Sequence, residues 1–172
     1  MERFGIYIHI PFCKKKCKYC DFISFSCAEK IWERYFNSLI KEIRNCNISK
    51  KVTTIYIGGG TPSVVDEKYI SLVLKEIYNK FEISNDAEIT IEVNPGTIDD
   101  REKKKFFKYK NLGINRISIG LQSTKNEILE LIGRIHTYEK FLDTYNLVKD
   151  AGFKNINVDL MLGLPSQSLE DV

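Results

Sequence analysis

The chain has 172 residues, 43% of them hydrophobic and 12% aromatic, which is enough for one ordinary domain with its own core. Its net charge of +3, from 26 basic and 23 acidic residues, gives no indication of a nucleic-acid partner. No apolar run approaches the roughly 20 residues of a membrane span, and no signal peptide is indicated. Five cysteines, an odd number with three clustered, favour a reducing cytoplasmic compartment and ligand roles over disulfides.

Short β-rich runs alternate with segments of helical period along the chain. The predicted strands cover residues 5–10, 53–57, 88–93, 116–119 and 155–160. Apolar residues at i, i+3 and i+4 spacing predict helical segments at residues 31–43, 69–78, 106–112, 128–132 and 141–148. This alternation predicts an α/β fold with a parallel sheet and right-handed crossovers.

The first predicted strand is followed by a C-x3-C-x2-C cluster formed by Cys13, Cys17 and Cys20. Three thiolates this close can hold a metal centre and leave one coordination position open. A structural zinc site would need a fourth ligand, for which His9 or Cys27 is in range. An iron–sulfur cube normally takes four cysteines, so a cube held by three has an iron free for another ligand. The residues alone leave both kinds of site open.

Two lysine runs, at residues 14–16 and 103–105, are interpreted as solvated faces. The first run lies inside the cysteine loop, where positive charge also favours ionised thiolates. Cys27 and Cys46 have no partner at ligand spacing and are interpreted as ordinary residues.

The second predicted strand is followed by Gly-Gly-Gly-Thr-Pro-Ser at residues 58–63. Consecutive glycines allow a ligand to approach the backbone closely. The alternative is a tight strand-to-helix turn, with Ser63 or Asp66 as the helix cap. The segment is not a phosphate-binding P-loop, because the Gly-Lys-Ser/Thr ending is missing.

Polar residues also mark the later strands, namely Glu92, Gln122, Arg134 and Asp159. An unpaired charge is costly in a buried strand, so Glu92 is expected either to pair across the sheet or to face a polar ligand. Polar residues after successive strands are typical of a barrel with its chemistry at the carboxyl rim. A doubly wound nucleotide-binding sheet is less favoured, because no G-x-G-x-x-G follows the first strand. The ligand expected from these groups is small and zwitterionic or hydroxylated.

Several separated motifs occur in a fixed order, at residues 7–13, 19–22, 58–63, 119–123 and 133–136, and at Asp159 with 163–165. In this respect the chain resembles radical S-adenosylmethionine (SAM) proteins of the oxygen-independent coproporphyrinogen III oxidase group, from Tyr7 to Asp171. The resemblance implies a partial (β/α) TIM-like barrel of the radical SAM type, truncated after about five strands. Residues 1–172 would then form a core domain that is incomplete at its C-terminal end and lacks the family's C-terminal domain.

The resemblance implies that Cys13, Cys17 and Cys20 bind a [4Fe–4S] cluster, whose fourth iron takes the amino and carboxylate groups of SAM. The residues that it implies for SAM binding are Tyr7, Tyr19, Gly59, Gly60, Thr61, Glu92, Gln122, Arg134 and Asp159. In such proteins an electron from the reduced cluster cleaves the sulfonium and gives a 5′-deoxyadenosyl radical. The difficult chemistry belongs to the cofactors and the protein positions them, so no side chain is assigned a catalytic role.

Phe22, two residues after the third cysteine, bears on the branch of the group. The oxidases carry a further cysteine at this position and a longer segment before the first strand. In both respects this chain is similar to the sister branch of heme chaperones, which bind heme, deliver it to acceptor proteins and lack the oxidase reaction. The resemblance therefore implies heme and heme-acceptor proteins as partners, with no coproporphyrinogen oxidase activity and an unidentified electron donor.

Two alternatives stay open at the level of sequence. One is an oxygen-independent coproporphyrinogen III oxidase, which decarboxylates porphyrinogen propionates. The other is a zinc-stabilised βα domain without SAM chemistry. His9 and His136 could bind heme, but both are interpreted as packing or hydrogen-bonding residues.

Overall fold

The computed structural model describes residues 4–26, 29–97 and 104–171. The strands are β1 (Phe4–Ile10), β2 (Val52–Gly59), β3 (Ile83–Val93), β4 (Arg116–Gln122) and β5 (Asn155–Leu160). The helices are α1 (Trp32–Asn45), α2 (Glu67–Lys80), α3 (Lys104–Asn111), α4 (Asn126–Leu131) and α5 (Tyr138–Asp150). Within these ranges, no helix combines the length and the apolar character needed to cross a membrane.

The strands form one parallel sheet in the order β1-β2-β3-β4-β5. A doubly wound sheet reverses its strand order partway across, at the point where its ligand binds. A sheet in which each strand is added beside the previous one is instead an arc of a (β/α) barrel. The predicted α/β partial barrel is therefore confirmed.

The two faces of the sheet differ because successive side chains of a strand point to opposite sides. On the outer face, isoleucines such as Ile57, Ile91 and Ile117 are fully buried in a core with helix residues including Phe36 and Leu74. Each such side chain stabilises the fold by roughly 1.5–3 kcal/mol through burial alone. The inner face carries polar side chains, namely Tyr7, Tyr56, Glu92, Ser118 and Asp159.

Helix α2 shows how local sequence fixes one element. Asp66 caps it by accepting a hydrogen bond from the backbone N–H of Lys68 at 2.9 Å, which confirms one of the two predicted caps. Its buried residues, Ile70, Val73, Leu74 and Ile77, follow the i, i+3, i+4, i+7 pattern of an amphipathic helix. Ser63, the other predicted cap, has a different role that is described below.

The structure corrects several details of the sequence prediction. The strands β2, β3 and β4 extend beyond their predicted ends, to Gly59, back to Ile83 and to Gln122, because parallel pairing continues past the hydrophobic run. The two helical segments predicted between β4 and β5 are present as α4 and α5, and Gly133 with a φ of +80° ends α4. The interpretation of the lysine run 103–105 as a solvated face is wrong at Lys105, which is buried. Within that run Lys104 is exposed, and residue 103 lies outside the described ranges.

Candidate functional site

A cavity of about 370 Å³ lies at the carboxyl ends of the strands. Its wall contains Cys13, Cys17, Cys20, Tyr19, Gly59, Gly60, Thr61, Glu92, Gln122, Arg134 and Asp159 from the sequence-predicted set. These residues come together because the carboxyl ends of all parallel strands meet at one edge of the sheet. Tyr7 is not in the wall: it stacks on Tyr56 with 6.0 Å between ring centroids and is 57% exposed.

The cysteine loop is held by backbone hydrogen bonds to two separate segments. The N–H of Cys13 donates to the carbonyl of Phe25 at 3.0 Å, and that of Lys18 donates to Ile132 at 3.0 Å. The thiols of Cys13, Cys17 and Cys20 are free and half-buried. Across residues 4–26, 29–97 and 104–171, no three His, Cys, Asp or Glu side chains are grouped to hold a single ion. Three thiols spread around one cavity fit a cluster, in which each thiolate binds a different iron.

His9 connects β1 to the end of the cysteine loop. Its Nε2 donates to the carbonyl of Ile23 at 2.8 Å, and its Nδ1 lies 3.3 Å from the hydroxyl of Tyr7. Both ring nitrogens are thus engaged within the protein, which supports the hydrogen-bonding interpretation over a ligand role. The other suggested zinc ligand, Cys27, lies outside the described residues.

The glycine-rich turn after β2 passes unusually close to β1 and the cysteine loop. Gly59 has a φ of +114°, and a Cβ there would lie 2.6 Å from Nδ1 of His9. A Cβ on Gly60 would lie 2.8 Å from the carbonyl oxygen of Phe12. The N–H of Thr61 donates to the same carbonyl at 2.7 Å. One side of the turn therefore lines the cavity, and the other side packs against β1 and the residues that follow it.

Glu92 lies in the wall beside this turn and is partly buried. It accepts hydrogen bonds from the hydroxyl of Tyr56 at 2.8 Å and from the N–H of Gly59 at 3.1 Å. Burial raises the pKa of Glu92, and the nearby Asp159 adds to the rise, whereas the two hydrogen bonds oppose it. A positively charged ligand group would favour the ionised carboxylate in this position.

Arg134 joins the cysteine loop to β4. Its Nη1 lies 3.4 Å from the Tyr19 hydroxyl and 3.8 Å from Sγ of Cys17, and its Nη2 donates to the carbonyl of Gly120. A Cβ on Gly120 would lie 3.2 Å from Nη2, so glycine leaves room for the guanidinium. Burial raises the pKa of Tyr19 to about 12, although the charge of Arg134 opposes this.

The Nε atom of Arg134 is buried and has no hydrogen-bond partner within the described residues. Buried donors are normally paired, so this N–H is an exception. Arg134 also lines the cavity, and a guanidinium group pairs readily with a ligand carboxylate. The residues present thus fit both a cluster and a small ligand with a carboxylate.

Gln122 and Asp159 complete the wall on the side of β4 and β5. Gln122 has a φ of +76°, an uncommon backbone conformation for a residue other than glycine. The carboxylate of Asp159 accepts hydrogen bonds from Asn157 at 2.7 Å and from Ser118 at 3.2 Å. Such local strain and oriented polar groups are concentrated at functional sites.

The sequence interpretation missed Tyr56, Ser118 and Asn157, which orient Glu92 and Asp159. A signal for them exists, since residues two apart in a strand share a face. Residues 56 and 58, 118 and 120, and 157 and 159 form such pairs on the inner face. Each missed residue stands two positions before a glycine or a carboxylate on the same inner face of the sheet.

His136 lies apart from the cavity wall. It is 6% exposed, and neither ring nitrogen makes a hydrogen bond within the described residues, although the ring lies against the backbone of Leu121. Burial and the positive charge of Arg134 lower the pKa of His136 to about 4. The residue is therefore a neutral, packed side chain near neutral pH.

The fold and the site together define a cluster- and cofactor-binding protein built on a (β/α) partial barrel. The chain belongs to the Radical SAM superfamily, whose model matches residues 7–172. Membership of this superfamily implies a [4Fe–4S] cluster and bound SAM.

The chain is 43% identical over 172 residues to the heme chaperone HemW of Buchnera aphidicola subsp. Schizaphis graminum, covering 98% of this chain and 45% of that relative. It is 40% identical over 171 residues to HemW of Escherichia coli, covering 97% and 44%. Among solved structures, it is similar to coproporphyrinogen III oxidase (HemN) from Escherichia coli, with a TM-score of 0.87 and 31% identity over 97% of this chain and 39% of that one. The chain thus spans less than half the length of these relatives.

Proposed function

We propose that this chain is the cluster- and SAM-binding part of a heme chaperone. The observation that carries the proposal is the single cavity that joins the three cysteines to the glycine turn, Glu92, Gln122, Arg134 and Asp159. In this proposal Cys13, Cys17 and Cys20 hold the cluster. The relatives named above as HemW support the choice of a heme chaperone.

Each polar residue of the wall is matched to one part of SAM. Arg134 would bind the carboxylate through its guanidinium group, and Glu92 would face the amino group or the sulfonium charge. Gln122 and Asp159 suit the ribose hydroxyls, and residues 59–61 would contact the methionine part. When bound together, the cluster and SAM supply one-electron radical chemistry, for which the protein provides binding and orientation. Tyr7, outside the wall, is proposed to act at most through its neighbours His9 and Tyr56.

Phe22 supports the chaperone over the oxidase. It is 68% exposed and lines the cavity. By the resemblance described above, the oxidases carry a further cysteine at this position. Heme, a heme-acceptor protein and an external electron donor are the partners in this proposal. We also propose that the protein works in a reducing, cytoplasmic compartment, where clustered thiols serve as ligands.

The test begins with anaerobic reconstitution of the chain with iron and sulfide. Iron and sulfide content, SAM binding by equilibrium dialysis, and heme binding by absorbance titration are measured on the same preparation. We expect about four irons per chain, saturable SAM binding, and heme that passes to an apo-acceptor protein. Cys17→Ala is the matched control and should lack the cluster. Absence of iron with retention of zinc would replace the proposal by the zinc-stabilised domain.

A second assay separates chaperone from oxidase. Coproporphyrinogen III, SAM and a reductant are added to the reconstituted chain without oxygen, and the porphyrinogen products are separated by chromatography. The proposal expects no loss of propionate carboxyl groups. Formation of decarboxylated product would instead assign the oxidase reaction.

A further inference from the structure

Lys105 has a buried side chain at the start of α3, although its sequence context predicts a solvated face. It is 3% exposed, and its Nζ donates to the carbonyl oxygens of Ser63 at 3.0 Å and of Val65 at 3.1 Å. A buried lysine amino group is costly unless its donors are paired. The two carbonyl contacts supply such pairing.

Ser63 and Val65 belong to the turn that leads from Thr61, in the cavity wall, into α2. Ser63 is fully buried, and its Oγ lies 2.7 Å from Oγ1 of Thr97. The same Oγ accepts a hydrogen bond from the backbone N–H of Asn94 at 3.3 Å. The turn after β2 is thus bonded to the turn after β3.

The turn after β3 is also bonded to the cysteine loop. The Nζ of Lys14, next to the first cysteine, lies 3.5 Å from the carbonyl oxygen of Gly96 and 3.4 Å from that of Thr97. A continuous chain of contacts therefore runs from the cysteine loop through Thr97 and Ser63 to Lys105 on α3. Lys105, Ser63 and Thr97 are not part of the cavity wall.

We propose that Lys105 is a positioning residue for the SAM site, which fixes the turn carrying residues 59–61 through the carbonyls of Ser63 and Val65. The inference rests on the proposed function, because it assigns those residues to the methionine part of SAM. The amides of Gly60 and Thr61 donate to the carbonyls of Ile10 in β1 and of Phe12 at 2.9 and 2.7 Å, so these two hydrogen bonds depend on how the turn is held. Loss of Lys105 should weaken the hydrogen bonds of the Gly60 and Thr61 amides while the cysteines stay in place.

The test compares Lys105→Met with Lys104→Met, since Lys104 is the exposed neighbour on the same helix. In the reconstituted chain, Lys105→Met should weaken SAM binding about 10-fold, as loss of a supporting partner behind a ligand does at metal sites. Iron content should be unchanged. In the cluster-free chain, hydrogen exchange at the amides of Gly60 and Thr61 should accelerate. Lys104→Met should leave all three measurements at their wild-type values.

Thr97→Val provides a second variant in case Lys105→Met does not fold. It keeps the side-chain shape and removes the hydroxyl that contacts Ser63, so it should change SAM affinity and amide exchange in the same direction by a smaller factor. Unchanged exchange at Gly60 and Thr61 in the folded variants would overturn the inference. So would equal acceleration across the whole sheet, which indicates general destabilisation. Failure of the wild-type chain to bind SAM would count against the proposed function, whereas exchange in the cluster-free chain would still decide the role of Lys105.

Discussion

The hydroxyl of Tyr56 donates a hydrogen bond to the carboxylate of Glu92 at 2.8 Å, across neighbouring strands. This bond favours the ionised form of Glu92, whereas burial favours the neutral form and raises its pKa. The ionisation of Glu92 thus depends on Tyr56, a residue of the neighbouring strand that was not among the predicted site residues.

Tyr56→Phe should weaken SAM binding and shift its pH dependence. Without the hydroxyl, the pKa of Glu92 rises further, so the carboxylate is lost at a higher pH as the solution is acidified. We expect SAM to bind about 5-fold more weakly near neutral pH. This loss is smaller than the full contribution of a hydrogen bond to a charged group, because Glu92 itself is retained. Equilibrium dialysis at several pH values measures the shift. Tyr78→Phe is the control, because its hydroxyl bonds to Leu112 away from the cavity. Equal pH profiles for wild type and Tyr56→Phe would contradict the role of the bond.

Alanine at Cys13, Cys17 or Cys20 should each abolish a stable cluster, because a cube held by two thiolates has too few ligands. Cys46→Ala is the matched control, since this thiol is half-buried against the hydrophobic core. Iron and sulfide content with visible absorbance measure the outcome. Cys27→Ala is predicted from the sequence to retain the cluster. A cluster that survives Cys17→Ala would refute the ligand assignment.

Gly60→Ala should impair both folding and SAM binding. The added Cβ would lie within 3.0 Å of three backbone atoms of Phe12 and Ile10, so the turn must move. We expect a loss of roughly 1–3 kcal/mol in the free energy of unfolding, as for other overpacked sites, measured by urea denaturation. Gly152→Ala, with no atom within 4 Å but a φ of +84°, should lower stability without changing SAM affinity. Wild-type affinity in Gly60→Ala would mean that the turn does not contact SAM.

His136 should make stability fall on acidification. Its pKa of about 4 in the folded chain lies below the ordinary 6.5, so the unfolded chain binds the proton first as the pH drops. This contribution to the free energy of unfolding is fully present above about pH 6.5 and is lost as the pH falls towards about 4, with a size of about 3 kcal/mol. Urea denaturation of wild type and His136→Gln across this range measures the difference. Parallel stability curves for the two proteins would remove His136 as the cause.

The alternation of strands and helices, the strand order of a barrel and most of the cavity wall could be predicted from the sequence. Period-2 and period-3.6 hydrophobic patterns are local, and parallel strands bring their carboxyl ends together without further information. The fold prediction therefore placed Glu92, Gln122 and Asp159 on one rim although they are far apart in the chain.

The residues that support the wall could not be selected in the same way. The buried Lys105 donates to two carbonyls of a turn 42 and 40 residues earlier, and no local pattern reports such contacts. The same holds for Ser63, which is a plausible helix cap by sequence but instead contacts Thr97. The opposite case is Tyr7, which the family resemblance assigns to SAM binding although the structure does not place it in the cavity wall.

The position of Arg134 late in the chain bears on when the cluster can be inserted during synthesis and folding. It contacts Cys17 and Tyr19 across 117 and 115 residues of sequence, and the loop also rests on the backbone of Ile132. At typical rates of synthesis, this separation corresponds to a delay on the order of 10 s between emergence of the cysteines and of their anchor. During that interval the thiols are exposed to the cell on a loop without its final support. Cluster insertion is therefore expected to follow the folding of β4 and the segment after α4.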